Sequence, residues 1–596
     1  MHTRFRQDLV ATNRRLMGAN GAGATQDKSK TEEQGVELVW GLKIPMRDGI
    51  QLNGTAYKPE GQTKPLPVVF THTPYISDSY HPRGMYFARH GYVFVIVDVR
   101  GRGNSEGAFE PLLHDGRDGH DIVEHLARQP WCDGQVAMWG GSYAGYNQWA
   151  ALKEFPKHLA TIVPAASAHP GVDFPFANNI FYSYETQWLT FTSGVTGNSN
   201  LFNEAVFWIG RFREMYLKHR PFKELDQIVG NPSPHFQMWL RRPTPDQWAF
   251  ITPSSDEYQR INIPILTITG HYDDDQPGAM EFYWRHMRHG TARARARHFL
   301  LFGPWDHAGT RTPNKEFGGL EFADASMLDL NDLHRQWYDW TMRDGPKPDF
   351  LKKRVAYYVM GEEKWKYADK LEQTATARRK FYLNSEYGYA NDVFRSGALR
   401  VQKPVQSKPD SYLYDPLDVR PAELEREEIK DYLTDQRYAL NLFGNGLIYH
   451  TEPFAQDTEI TGWVRLVVWM ALDVPDTDFS ATLYEILPSG RSIQLTRDLL
   501  RARYRKSFTR AQRVTPGKIE RYEFNHFTFF SRRIARHSRL RLLINSPNSI
   551  YFQKNYNSGG AVAEETARDA RVAHVTLYHD AQHPSFLEAP VAGRTK

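Results

Sequence analysis

Val136, Ala137, Met138 and Trp139 form an apolar run that breaks at Gly140-Gly141, reaches Ser142, and continues as Tyr143-Ala144-Gly145. A buried strand that ends in two glycines, presents a serine at a sharp turn and re-enters a helix holds that serine in strained backbone geometry, and its glycines let neighbouring segments approach closely. Such a turn exposes the hydroxyl and leaves the Tyr143 amide free to meet an oxyanion. The usual spelling is G-x-S-x-G, whereas here Ala144 stands two places after the serine and glycine follows at 145. Taken alone, the run reads equally as a nucleophile-bearing elbow or as a glycine-rich strand–helix turn.

At 596 residues the chain exceeds what one core holds, so two or three domains are expected. A net charge of +5 is slight for this length and argues against a nucleic-acid partner. Cys132 is the only cysteine, so no intrachain disulfide forms and a reducing compartment is tolerated. Beside Trp131 it reads as a packed small residue. No run of about 18 apolar residues occurs, so no membrane span is expected. Arg14-Arg15 before Leu16-Met17 faintly resembles a twin-arginine signal, but the stretch that follows is too polar for one. Residues 1–36 read as an N-terminal arm or a subunit-contacting helix, the expected location is cytoplasmic, and a homo-oligomer is left open.

Short β-branched runs alternate with helical patterns from about residue 37, the mark of a mostly parallel sheet. Six strands are expected: Pro67 to Thr71, Tyr92 to Asp98, Gln135 to Trp139, Ala160 to Pro164, Ile265 to Thr269 and His298 to Phe302, with helices over 83–90, 115–128 and 328–342. Residues 170–255 interrupt the rhythm with aromatic helical patterns such as 207–218. They read as a cap over the site, its aromatics either lining a pocket or packing together. The sheet resumes over 256–350. From 351 to 596 the chain reads as short alternating strands, among them Val355 to Val359, Arg465 to Trp469 and Arg539 to Ile544, which favours a β-sandwich or jelly roll.

A serine hydroxyl needs a base to take its proton, and the base needs an orienting carboxylate. The fifth strand ends Gly270-His271-Tyr272-Asp273 and the sixth ends Gly303-Pro304-Trp305-Asp306-His307. The chain order Ser142, Asp273, His307 is that of α/β-hydrolases, with all three at carboxyl ends of strands.

Gly140 to Gly145, Asp98-Val-Arg-Gly-Arg-Gly-Asn-Ser-Glu-Gly at 98–107, Gly-His-Tyr-Asp at 270–273 and Gly-Pro-Trp-Asp-His at 303–307 resemble the CocE/NonD hydrolases. That group includes cocaine esterase, α-amino-acid ester hydrolases, glutaryl cephalosporin acylases and Xaa-Pro dipeptidyl-peptidases. The resemblance extends to 476–483 and 490–496. It implies an α/β fold with a hydrolase core, helical cap insertion and C-terminal jelly-roll domain. It also implies Ser142 as nucleophile, His307 as general base and Asp273 as orienting acid. The Tyr143 amide and the Tyr75 hydroxyl, in Thr73-Pro74-Tyr75, would be the oxyanion donors. Tyr75 reads alternatively as a buried residue closing a turn.

Asp273, Asp274 and Asp275 set three carboxylates in a row. In the α-amino-acid ester hydrolases an acidic cluster beyond the triad acid holds the substrate's ammonium, and Asp275 matches one member of it; Gln276 stands where a second acid is found. Asp274 and Asp275 are therefore substrate-binding acids, a solvated acidic loop, or carboxylates at a helix N-terminus, where the dipole favours them. His271 and Asp306 read as neighbours that support the triad or rim the site. Asp98, Arg100, Glu106, His120 and Asp121 read as loop ties, and His286 and His289 as surface. Metal catalysis lacks a ligand set, and no cofactor is called for. The expected function is a serine hydrolase taking a small acyl or α-amino-acid ester through an acyl-enzyme. An amide-cleaving peptidase or acylase and an acyltransferase are the alternatives.

Overall fold

The computed structural model describes residues 35–375, 377–386 and 388–591. Most of the expected N-terminal arm, with Arg14-Arg15, lies outside the described residues.

The first sheet has ten strands: β1 (Val36–Pro45), β2 (Gln51–Pro59), β3 (Leu66–Thr73), β4 (Val93–Asp98), β5 (Cys132–Ser142), β6 (Leu159–Ser167), β7 (Ile265–Tyr272), β8 (His298–Asp306), β9 (Val355–Val359) and β10 (Lys364–Ala368). Their order is β1-β2-β4-β3-β5-β6-β7-β8-β9-β10. Strands β3 to β9 run parallel, and antiparallel pairs close both edges. A parallel sheet is covered on both faces, so its strands are apolar throughout rather than alternating. All six residues of β4 and all eight of β7 are buried. The order turns back between β4 and β5, and a crevice opens at the carboxyl ends of strands at such a reversal.

Helices α1 (His81–Arg89), α2 (Asp115–Leu126), α3 (Tyr143–Lys153), α4 (Tyr184–Phe191), α5 (Ala205–Leu217), α6 (Pro234–Leu240), α7 (Gln276–His289) and α8 (Leu330–Met342) flank or cap the sheet. The amino end of α8 is capped by Asp329, which accepts from the Asp332 amide at 3.0 Å. Between β6 and β7 the chain forms the helical insertion, with only a two-residue ladder at Phe176–Ala177 and Ile180–Phe181. In it Trp208 packs on Phe212 and Trp239 on Trp248, and all four join the sheet's core. Packing is therefore the fate of most cap aromatics.

Two readings are corrected. Val355–Val359 alternates in composition like the second half, yet it pairs in parallel with β8 in the first sheet. His286, which its arginine neighbours place at the surface, is buried on α7 and pairs its Nδ1 with His298 Nδ1 at 2.8 Å. The helix turns that face inward while Arg285 and Arg288 stay outside. His289 is half-buried near Ser255 Oγ.

Thirteen strands between Ala377 and Val591 form the β-rich second part. All but one pairing is antiparallel, the exception joining Gly397–Arg400 to Gly446–Thr451. Alternate residues such as Leu466, Val468 and Met470 face a separate core. This part docks against the carboxyl edge of the first sheet. Gln276 donates to Phe529 O at 3.0 Å and accepts from its amide at 2.6 Å. Ser183 in the cap donates to Ile550 O at 2.8 Å. The recess at Ser142 is thus walled by core and cap, and the β domain closes in beside it.

Candidate active site

Ser142 ends β5 and precedes the first residue of α3, at φ +62° and ψ −127°. A non-glycine residue at positive φ persists only where its surroundings hold it, and two glycines make those surroundings possible. At Gly140 a β-carbon would lie 2.7 Å from the Ala144 Cβ; the missing carbon makes room for the alanine that replaces the usual glycine. At Gly145 a β-carbon would lie 2.8 Å from Ala165 O and 3.0 Å from Ser167 Cα. The displaced glycine is therefore where α3 presses on β6. The Tyr143 amide, first in α3, has no acceptor within its own helix.

Tyr75 follows β3 and points its hydroxyl at Ser142 Oγ, 3.5 Å away. The hydroxyl accepts from Trp188 Nε1 at 3.2 Å, and the ring stacks on Phe191. Burial pushes the phenol up to about 12, so it stays a protonated donor. Tyr143 is anchored through its own hydroxyl, which donates to Asp115 Oδ2 at 2.6 Å and accepts from the Leu112 amide at 2.7 Å.

His307 and Asp273 are both buried, with Nδ1 2.8 Å from Asp273 Oδ1. Asp273 also accepts from the Asp275 amide at 3.1 Å and, through Oδ2, from Thr269 Oγ1 at 2.8 Å. These bonds fix the carboxylate and direct the Nδ1 proton of His307 toward it, leaving Nε2 as the basic nitrogen. The turn after His307 is held by Thr310 Oγ1 donating to His307 O at 2.7 Å. Arg311 from that turn lies over Gly141, filling the space a β-carbon would take. The histidine turn is thereby pressed onto the serine turn.

The flanking residues support these turns. His271 is buried, its Nε2 2.8 Å from Tyr358 O, and burial holds its pKa down near about 4. Asp306 accepts from the Gly309 amide at 2.9 Å. Arg100 joins Asp118 and Asp48, Glu106 accepts from the Gln51 amide, and Asp121 holds Arg47 while lying beside His120, so these residues tie loops. Asp98 packs its carboxyl where Gly103 has no β-carbon.

Ser142, Tyr75 and Tyr143 line a recess of about 540 Å³ together with Leu112, Phe174 and Trp188 and four acids: Asp173, Glu185, Asp274 and Asp275. Asp275 is buried with Oδ2 3.8 Å from His307 Nδ1. Desolvation first, then repulsion from Asp173, Asp273 and Asp274, holds its carboxyl well above the ordinary range. Glu185 is raised by the same two causes, with Asp173 its acidic neighbour. Asp173 accepts from the His169 amide at 2.8 Å and the Gly278 amide at 2.5 Å, yet burial lifts it to about 8. Asp275 is therefore buried rather than solvated and stands at the amino end of α7, as the helix N-terminus reading has it, while Asp274 is half-buried on the recess wall. Gln276 turns away from the recess toward Gly270 O and Phe529. Asp173 and Glu185 were missed in the sequence because they lie in the cap, with no motif around them. The one hint was two acids in an otherwise apolar and aromatic stretch.

The comparisons with known proteins agree with this architecture. The X-Pro dipeptidyl-peptidase (S15 family) matches residues 48–309, and the X-Pro dipeptidyl-peptidase C-terminal non-catalytic domain matches residues 350–588. A cocaine esterase from Rhodococcus sp. (strain MB1 Bresler) is 26% identical over 93% of this chain and 98% of its own length. Two solved structures share the fold: an aminopeptidase from the marine sediment archaeon Thaumarchaeota archaeon, with TM-score 0.79 and 21% identity, and an α-amino acid ester hydrolase, with TM-score 0.79 and 20% identity. Each covers 96% of this chain and 99% of its own. With the S15 domain and its C-terminal partner in order, this chain belongs to the S15 and cocaine esterase (CocE/NonD) family of serine hydrolases.

Proposed function

We propose that this enzyme hydrolyses small esters whose acyl group carries a free ammonium, through an acyl-enzyme on Ser142. The observation that carries this reading is the set of four acids around the recess that holds Ser142, with no lysine or arginine among its lining residues. Buried carboxyls that repel one another stay protonated until a cation enters, and a substrate ammonium is such a cation.

His307 Nε2 takes the Ser142 proton as Oγ attacks the ester carbonyl, and Asp273 stabilises the imidazolium. The Tyr75 hydroxyl and the Tyr143 amide meet the oxyanion. His307 then protonates the departing alcohol, and water repeats the sequence to free the acid. Asp275 adds a link between binding and chemistry. When an ammonium ionises it, a negative charge appears 3.8 Å from His307 Nδ1, beside the imidazolium that forms as Ser142 attacks.

The test compares amino-acid methyl esters with their N-acetyl counterparts. The free amines are expected to react with at least about tenfold higher kcat/KM, Ser142→Ala to be inactive, and a fluorophosphonate to label Ser142. Equal rates on both ester series would overturn the ammonium requirement. Failure to label Ser142 would overturn the mechanism. Dipeptide anilides in the same panel separate ester from amide cleavage.

A further inference from the structure

Beside the recess that holds Ser142 lies a second one of about 700 Å³, between the first sheet, the cap and the β domain. The two share Tyr182 and Asp274, and those residues form the wall between them. Tyr182 and Asp274 line the second recess together with Arg497, and Tyr182 bridges to Phe552 of the β domain. Ser142, Tyr75 and Tyr143 do not line the second recess.

Arg497 is the cation of that recess. Its Nε donates to Ser480 Oγ at 2.9 Å, and the guanidinium lies over the Phe552 ring, 4.9 Å from the centroid. It makes no ion pair among the described residues. The acid whose field reaches it, Glu425, is already committed to Ser549 Oγ at 2.6 Å and the Ile550 amide at 2.8 Å. Of the three acids of the recess, Asp274 lies on the wall shared with the first recess and the other two are committed. Asp498 accepts from the Leu499 and His526 amides and from Asn178 Nδ2, while Asp273 holds His307. An oriented guanidinium on an aromatic face with no carboxylate of its own suits an anionic planar group from outside.

Resting on the ammonium reading above, we propose that this recess is a second substrate subsite in which Arg497 binds a carboxylate at the far end of the acyl group. The enzyme would then prefer acyl groups that carry an ammonium and a carboxylate together, with the ester at the opposite end.

Two matched pairs test this. L-Glutamate γ-methyl ester and 4-aminobutyrate methyl ester differ by one carboxylate. Wild-type kcat/KM is expected to favour the first by about 10–100-fold, the range of one charge-assisted contact, mainly through KM. Arg497→Met should bring that ratio toward one, and Arg497→Lys should restore part of it. A second readout needs neither turnover nor an ammonium: calorimetric titration of Ser142→Ala with monomethyl glutarate and with methyl butyrate. Arg497→Met in that background should weaken the first by at least about tenfold relative to the second. A wild-type ratio near one, or ratios that Arg497→Met leaves in place, would overturn the subsite. If Asp173→Asn spares discrimination for the amine while Arg497→Met erases discrimination for the carboxylate, the ammonium reading falls and the subsite stands; the reverse result removes the subsite alone.

Discussion

Trp188 donates its indole N–H to the Tyr75 hydroxyl at 3.2 Å, and that hydroxyl faces Ser142 Oγ. A cap helix thus orients a residue on a loop of the core. With its lone pair engaged by the indole, the phenol has its proton directed to the nucleophile's side.

Tyr75→Phe removes an oxyanion donor and should lower kcat by about 10²–10³-fold. Trp188→Phe keeps the donor but frees its rotation, so a smaller loss of about tenfold is expected. Steady-state kinetics on one ester with both variants checks the order. A larger loss from Trp188→Phe than from Tyr75→Phe would contradict the assignment.

Asp173 is lifted to about 8 from an ordinary value of 3.8. Between those pH values the folded protein holds a proton that the unfolded chain has lost, so this group's contribution to stability falls as pH rises through that window. Asp173→Asn removes the contribution, and its Tm should decline less than wild type between pH 5 and pH 8. In the wild type, KM for an ammonium ester should fall as pH approaches 8, because the free site gives up its proton more readily. Thermal scans and pH-dependent kinetics check both signs.

Gly145→Ala forces a β-carbon against the backbone of Ala165 and Ser167, neither of which yields easily. A destabilisation of roughly 1–3 kcal/mol is expected, read in denaturant titration. Gly141→Ala instead meets the flexible Arg311 side chain. Its cost should appear in kcat, through the displaced His307 turn, more than in stability.

Gln276→Ala leaves Phe529 N without its acceptor at the seam between core and β domain, while Gly270 O keeps the Asp273 amide. Each buried backbone group left unsatisfied costs about 1–3 kcal/mol. Thermal unfolding should shift down by several degrees, or split into two transitions as the β domain uncouples.

Local sequence determined the parts of this protein that obey local rules. The β-branched runs became β3 to β8 because doubly covered parallel strands are apolar on every face. The glycines around Ser142 announced the turn, and Asp273 and His307 appeared in order at later strand ends. Gly145, a departure from the common spelling, proved to be the contact point of α3 with β6. Tertiary structure alone decided what surrounds Ser142. Asp173, Glu185 and Tyr182 come from the cap, while Arg497, from a strand of the β domain about 320 residues further along the chain, lines the neighbouring recess. No periodicity or spacing relates such residues, because burial, repulsion and shared walls arise only when the three layers close on one crevice. Val355 to Val359 and His286 make the same point. Composition describes a segment's faces, while the partner that covers each face is chosen by the whole fold.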